Sequence, residues 1–305
     1  MKRFYLYIMM AVLLTACGHR TSNGNSADSD SLAVTSEEAL ASAFKTDSIG
    51  LEREDSMVSI SISVDWPVKG NDSLVASIRQ YICEELVTSH IQEGNPDITL
   101  YDDGKKAIEA LADTMYHELA GYWKEAHNEG IPTDMAYSFY LHVNMQEEND
   151  LYVTYLSKGE GFSGGAHGYA TASYQTFRRR DGLRIGYETE YDQKAEAFVI
   201  KNQTLFKDPK SPGLAALIKE GVRSYFKEFQ EDVLTDDALK DMLIGVDDVN
   251  RIPVPNVAPS FTKNGLAFIY QQYEIAPYAA GMINFDLPYD KVRPYLTKEA
   301  AELIK

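Results

Sequence analysis

The sequence has little cysteine: Cys17 and Cys83 are the two in 305 residues. That excludes a disulfide-stapled scaffold, and a chain this long can bury a sizeable core without one. Long hydrophobic runs are also missing. The longest lies in "MKRFYLYIMMAVLLTAC" and spans about 13 residues, short of the roughly 20 that cross a bilayer. Basic residues are scarce, 29 Lys and Arg against 46 Asp and Glu, for a formal charge of −17. Such a balance excludes nucleic acid, whose phosphates need neutralising, and favours cationic partners. The six histidines show no paired metal-ligand spacing. His117-Glu118 begins a zincin-like helix motif, but position 121 is glycine. The acidic stretches "DPKSPG" and "GVDDVN" do not follow the EF-hand pattern of alternate oxygen ligands. Neither a metal nor a cofactor is expected.

What stands at the N-terminus reads as an export signal: Lys2 and Arg3, then the apolar segment, then the small residues Thr15-Ala16. Leu14-Thr15-Ala16-Cys17 resembles a bacterial lipobox. That resemblance implies cleavage before Cys17, lipid on its thiol, and attachment to the membrane of the bacterial cell envelope. Residues 1–16 are the expected signal peptide. Residues 17–52, rich in Ser, Asn, Asp and Ala, are the expected flexible tether. Cys83, next to Glu84 and Glu85 in a helical pattern, reads as a small buried apolar residue without thiolate character.

Beyond the tether, "MVSISISVDW" alternates strictly. Val58, Ile60, Ile62, Val64 and Trp66 form one face of a half-buried strand that Pro67 and Gly70-Asn71 end. Helical spacing follows, from Asp72 (Leu74, Ile78, Ile82, Leu86) and again over 103–128 (Ile108, Leu111, Met115, Leu119, Tyr122). "AYSFYLHVNM" and "LYVTYLS" form a hairpin around "EEND", "YATASYQTF" is a further strand, and "LRIGYET" pairs back after Arg180-Asp181-Gly182. Leu214–Phe229 and Thr235–Leu243 read as helices, "GLAFIYQQYEI" and "AGMINFDLPY" as strands, and Tyr289–Lys305 as short helices. The elements come in blocks instead of regular βαβ alternation. The fold class is therefore α+β, with largely antiparallel sheets, helices packed on one face and two closely associated subdomains, 53–186 and 187–305.

"GEGFSGGAHGYATASYQTF", from Gly159 to Phe177, satisfies two catalytic patterns at once. A dinucleotide fingerprint needs a helix after its glycines, so that the helix N-terminus meets the pyrophosphate. A nucleophile elbow at Ser163 needs a strand-turn-helix. The alternation after Gly168 supplies a strand instead. Both patterns reduce to glycine density at a connection where some residues need positive φ or close backbone approach, with His167 tying the turn to a neighbouring strand by a hydrogen bond. His142 and His167 lie in or beside strands and have the chance to approach one another.

Tyrosine is abundant, 20 against 12 phenylalanines. Strands favour it, and its apolar ring and polar tip also suit recognition of glycans and proteins. Ser163-Gly164-Gly165-Ala166-His167-Gly168 with its following strand, together with "YQQYEIAPYAAGMINFDLPYDKVRPYL" (Tyr270 to Leu296), resembles the two consecutive domains of the RsiV-like extracellular region. The first of these also accompanies the PdaC peptidoglycan deacetylase. The resemblance implies an exported α+β binding region. The lipobox replaces the cytosolic segment and membrane helix of RsiV, and the deacetylase's catalytic domain is missing. The expectation is a lipid-anchored envelope binding protein without enzymatic activity, its ligand a cationic lysozyme-like protein or a cell-wall glycan such as peptidoglycan. The expected ligand-binding residues are Ser163, Gly164, Gly165, His167, Tyr169, Tyr273 and Tyr278. The alternative is an envelope hydrolase working through the Gly159–Gly168 loop.

Overall fold

The computed structural model describes residues 43–88, 101–194, 197–228 and 235–305. The expected signal peptide, Cys17, His90 and the tether up to residue 42 lie outside the described residues. Among the described residues, no helix is long and apolar enough to cross a membrane.

Six strands form the main sheet, in spatial order β1 to β6. The expected tether extends to residue 52, but Lys45–Glu54 is β1, paired antiparallel along its length with β2 (Val58–Lys69). Its sequence, KTDSIGLERE, hides this. An edge strand needs only a few apolar contacts, and here Ile49 and Leu51 supply them to the core. In β2, the alternating residues Val58 to Trp66 are buried as the pattern predicts. Pro67 does not end the strand. The next strand, β3 (Tyr137–Glu148), pairs with β2 only as far as Val64, so the absent N–H breaks no ladder on that side.

The β2–β3 pair is parallel and needs a crossover. Helices α1 (Asp72–Thr88) and α2 (Gly104–Asn128) make it, on one face of the sheet. Asn71 caps α1 by accepting from the Ser73 and Leu74 amides, and Asp103 caps α2 by accepting from Lys105. Ile108, Leu111, Met115 and Leu119 are buried on α2, but Tyr122 is 52% exposed; the small Ala120 and Ala126 hold the buried face there. Cys83 is buried, and desolvation pushes its thiol pKa up, so the inert reading holds.

The antiparallel run continues through β4 (Tyr152–Phe162), β5 (Tyr169–Arg178) and β6 (Arg184–Ile185). "LRIGYET" does not pair back as a whole. Only Arg184 and Ile185 join β5, and Glu188–Asp192 (β7) turns away to pair with Ala197–Lys201 (β8). Helices α3 (Pro212–Lys227) and α4 (Asp236–Met242, capped by Thr235) follow. The three-stranded sheet runs in the order β11 (Ile283–Leu287), β10 (Gly265–Tyr270), β9 (Ser260–Thr262). Short helices α5 (Tyr289–Val292) and α6 (Lys298–Ala301) close the chain. The architecture is α+β with predominantly antiparallel sheets.

Two apolar cores result. One lies between the six-stranded sheet and α1–α2; the other gathers β9–β11, α3 and the C-terminal helices. They meet at the opposite face of β4 and β5. There the buried Thr154 donates to the Phe261 carbonyl (2.8 Å), and Thr176 accepts from the Phe261 amide (3.0 Å). The two threonine hydroxyls lie 2.9 Å apart.

Candidate functional site

The first four residues of the expected Gly159–Gly168 loop are strand. Gly159 and Gly161 belong to β4, and Gly161 pairs with Tyr169 of β5, so the turn is confined to residues 163–168. Gly164 and Gly165 both adopt positive φ, +95° and +93°, as a glycine-rich turn between strands requires. A β-carbon on Gly164 would sit 2.7 Å from the Tyr137 hydroxyl, so the turn also needs close approach there. Tyr169 lays its ring over Gly161, the position where a β-carbon would lie 2.6 Å from it. This is a cross-strand aromatic-glycine pair that accounts for Tyr169 structurally.

His167 does not tie the turn to a neighbouring strand. Its Nδ1 lies 2.8 Å from the carbonyl of the next residue, Gly168, and its exposed ring stacks on Tyr278 with centroids 4.1 Å apart. Tyr278 donates to the same Gly168 carbonyl at 3.2 Å, and Tyr273 stands 5.7 Å from Tyr278. Of the seven expected site residues, the structure brings His167, Tyr273 and Tyr278 together. Ser163 and Gly165 are exposed on the turn, and Gly164 and Tyr169 contact other strands. Among the described residues no hydrogen bond joins Ser163 to His167, and β5 follows where an elbow needs a helix. Nor do His142 and His167 meet: His142 Nδ1 is 2.8 Å from Ser63 Oγ in the middle of the sheet. Among the described residues no group of three or more His, Cys, Asp and Glu is placed to hold a metal ion.

Tyr273 is presented by a tight turn where the alternation predicts strand, while Tyr278 opens the short 3-10 helix Tyr278–Ala280. "GLAFIYQQYEI" stops being strand at Tyr270, and the Glu274 amide bonds back to the Gln271 carbonyl. Tyr273 takes φ +65°, a left-handed conformation uncommon for a bulky residue, with its side chain 57% exposed. Glu274 holds the turn by accepting from the Gln271 amide (2.8 Å) and the Asn256 amide (2.6 Å). Burial pushes its pKa up to about 6 against those two hydrogen bonds. Gln271 Nε2 donates to the Ala172 carbonyl (2.7 Å), and its Oε1 accepts from the Ala172 amide (3.1 Å). One amide thus does for β5 what a neighbouring strand would do. Gln272 accepts from Ala170 beside it. These glutamines carried no motif, since only the fold places them against an unpaired strand edge. A backbone held strained at an exposed aromatic is a feature typical of ligand contact sites.

The wider comparisons bear on the fold. No curated protein matches the chain. A solved structure of a DUF3298 family member from Bacteroides fragilis is 19% identical and superposes with a TM-score of 0.59, covering 86% of this chain and 98% of that one. A second DUF3298 structure, from Pseudomonas aeruginosa PAO1, is 13% identical with a TM-score of 0.54 and the same coverage. At these identities the likeness is one of fold. Residues 203–290 match the DUF3298 family, described as a protein of unknown function, and so this part of the chain carries a DUF3298 family domain.

Proposed function

We propose that this protein is a lipid-anchored binding protein of the bacterial cell envelope, of the RsiV-like type, and that His167, Tyr278 and Tyr273 form part of its ligand surface. The carrying observation is the aromatic cluster, exposed at His167 and Tyr273, with Tyr273 on a turn whose backbone conformation is unfavourable for it. Stacked rings with hydroxyl groups at their rim suit the apolar faces and hydroxyls of a sugar. A cell-wall glycan is accordingly preferred to a lysozyme-like protein as ligand. The lipobox at Cys17 supports the anchor.

The test is a calorimetric titration of the full chain with soluble peptidoglycan fragments and, separately, with lysozyme. The glycan is expected to bind, and Tyr278→Ala to weaken it by about 1–3 kcal/mol. Tyr273→Gly separates contact from folding. It relieves the left-handed backbone, so urea stability should rise by roughly 0.5–1 kcal/mol while glycan affinity falls. Binding to neither ligand, or an affinity indifferent to both substitutions, would overturn the reading. For the anchor, Cys17→Ser is expected to move the protein from the membrane to the soluble fraction.

A further inference from the structure

The outer face of β4 and β5 meets β10 and β11 across a cleft of about 340 Å³, within the size range of small-ligand sites. Two short side chains open it: Ala172 on β5 and Ala267 on β10. Its geometry is fixed in advance, because Gln271, the residue directly after β10, grips both backbone groups of Ala172. Rigid walls lower the ordering cost of binding.

The walls carry opposite charges. Lys158 lines the side formed by β4 and β5, beside Tyr174; Asp286 lines the side formed by β11, beside Asn284. Both charged groups are exposed, and neither takes part in an ion pair within 4.0 Å among the described residues. The two opposite charges thus line one cleft without pairing directly with each other. The phenol of Tyr174, which also lines the cleft, is pushed above its ordinary pKa, first by burial and then by the Asp286 charge. Leu156 and Met282 add apolar surface. A ligand carrying a single charge would satisfy one wall and leave the other charge facing it unpaired.

We propose that this cleft binds a compact zwitterion of the amino-acid or short-peptide class, its carboxylate on Lys158 and its ammonium on Asp286. The Tyr174 hydroxyl and the Asn284 amide are placed to bond polar groups between the two ends, and a small apolar side chain rests on Leu156 and Met282. The assignment is independent of the aromatic cluster and does not require a glycan ligand.

Isothermal titration of the full chain with alanyl-alanine, N-acetyl-alanyl-alanine and alanyl-alanine amide tests it, since the last two remove one charge each. The free dipeptide is expected to bind saturably, and each capped form about ten-fold or more weakly. Lys158→Met should abolish the discrimination against the amide alone, and Asp286→Asn that against the acetylated form alone. Both residues are exposed, and the capped ligands probe the unmodified protein in any case. No saturable binding of the dipeptide up to its solubility limit would overturn the proposal. Equal binding of all three ligands would do so too, as would discrimination unchanged in both variants.

Discussion

At the scale of single residues, Glu274 is the group whose charge state the fold sets most plainly. Burial raises its pKa from 4.5 to about 6 although two backbone amides donate to it. A carboxyl bound more tightly to its proton in the folded chain than in the unfolded one stabilises the fold fully below the unfolded pKa. That contribution is lost as pH rises through the folded value. Between pH 4.5 and about 6 Glu274 therefore makes the fold progressively less stable, by roughly 2 kcal/mol across the window. Urea unfolding at pH 4.5 and 7 is expected to show this component in the unmodified chain and to lose it in Glu274→Gln. Equal pH dependence in the two proteins would remove Glu274 as its source. Tyr273 beside it was expected from sequence as a ligand-binding residue, but its left-handed backbone was not. Its distinguishing property is a backbone angle, and "QQYEI" has the alternation of a strand without the glycine that usually marks such a turn.

At the scale of elements, Gln271 replaces a strand. Removing its amide leaves the Ala172 N–H and C=O without those partners at the edge of β5. Gln271→Ala is expected to destabilise by about 1–2 kcal/mol and to accelerate hydrogen exchange of the Ala172 amide, while amides in the middle of β3 keep their protection. Unchanged exchange at Ala172 would show that solvent serves as well as the glutamine. The elements themselves were legible where one face is buried and the other is not. The alternation of β2, the stripe of α1 and the β3–β4 hairpin all follow from that contrast. β1 was not legible, because an edge strand buries too little to mark its sequence, and a charged, serine-containing stretch reads equally well as tether. The β7–β8 hairpin was missed because Glu188–Asp192 continues the texture of β6 while pairing elsewhere. Of the site, the sequence exposed the glycine-rich turn and the tyrosines. It could not reveal that Tyr278, more than a hundred residues away, stacks on His167.

At the scale of the whole molecule, the two cores are joined by buried polar groups as well as apolar contact. The hydroxyls of Thr154 and Thr176 satisfy both backbone groups of Phe261, and Arg180 pairs with Glu302 across the same junction at 3.0 Å. Thr176→Val would leave the Phe261 amide buried without an acceptor, which costs about 1–3 kcal/mol. Because the loss falls on both subdomains at once, calorimetry is expected to show one thermal transition, displaced downward as a unit. Two transitions, with only the later half of the chain affected, would mean that the junction is merely a contact between independent folders. The strand directions add a mechanical consequence. Lys45, where the preceding chain enters β1, pairs with Lys69 at one end of the sheet; Glu54 pairs with Ser59 at the other, the end where Ser138 pairs with Phe162 beside the 163–168 turn. A pull between the entering chain, such as a lipid anchor at Cys17 would transmit, and a ligand held at that turn runs along the strands. It loads the β1–β2 hydrogen bonds together in shear, so that they resist as a set instead of unzipping one after another.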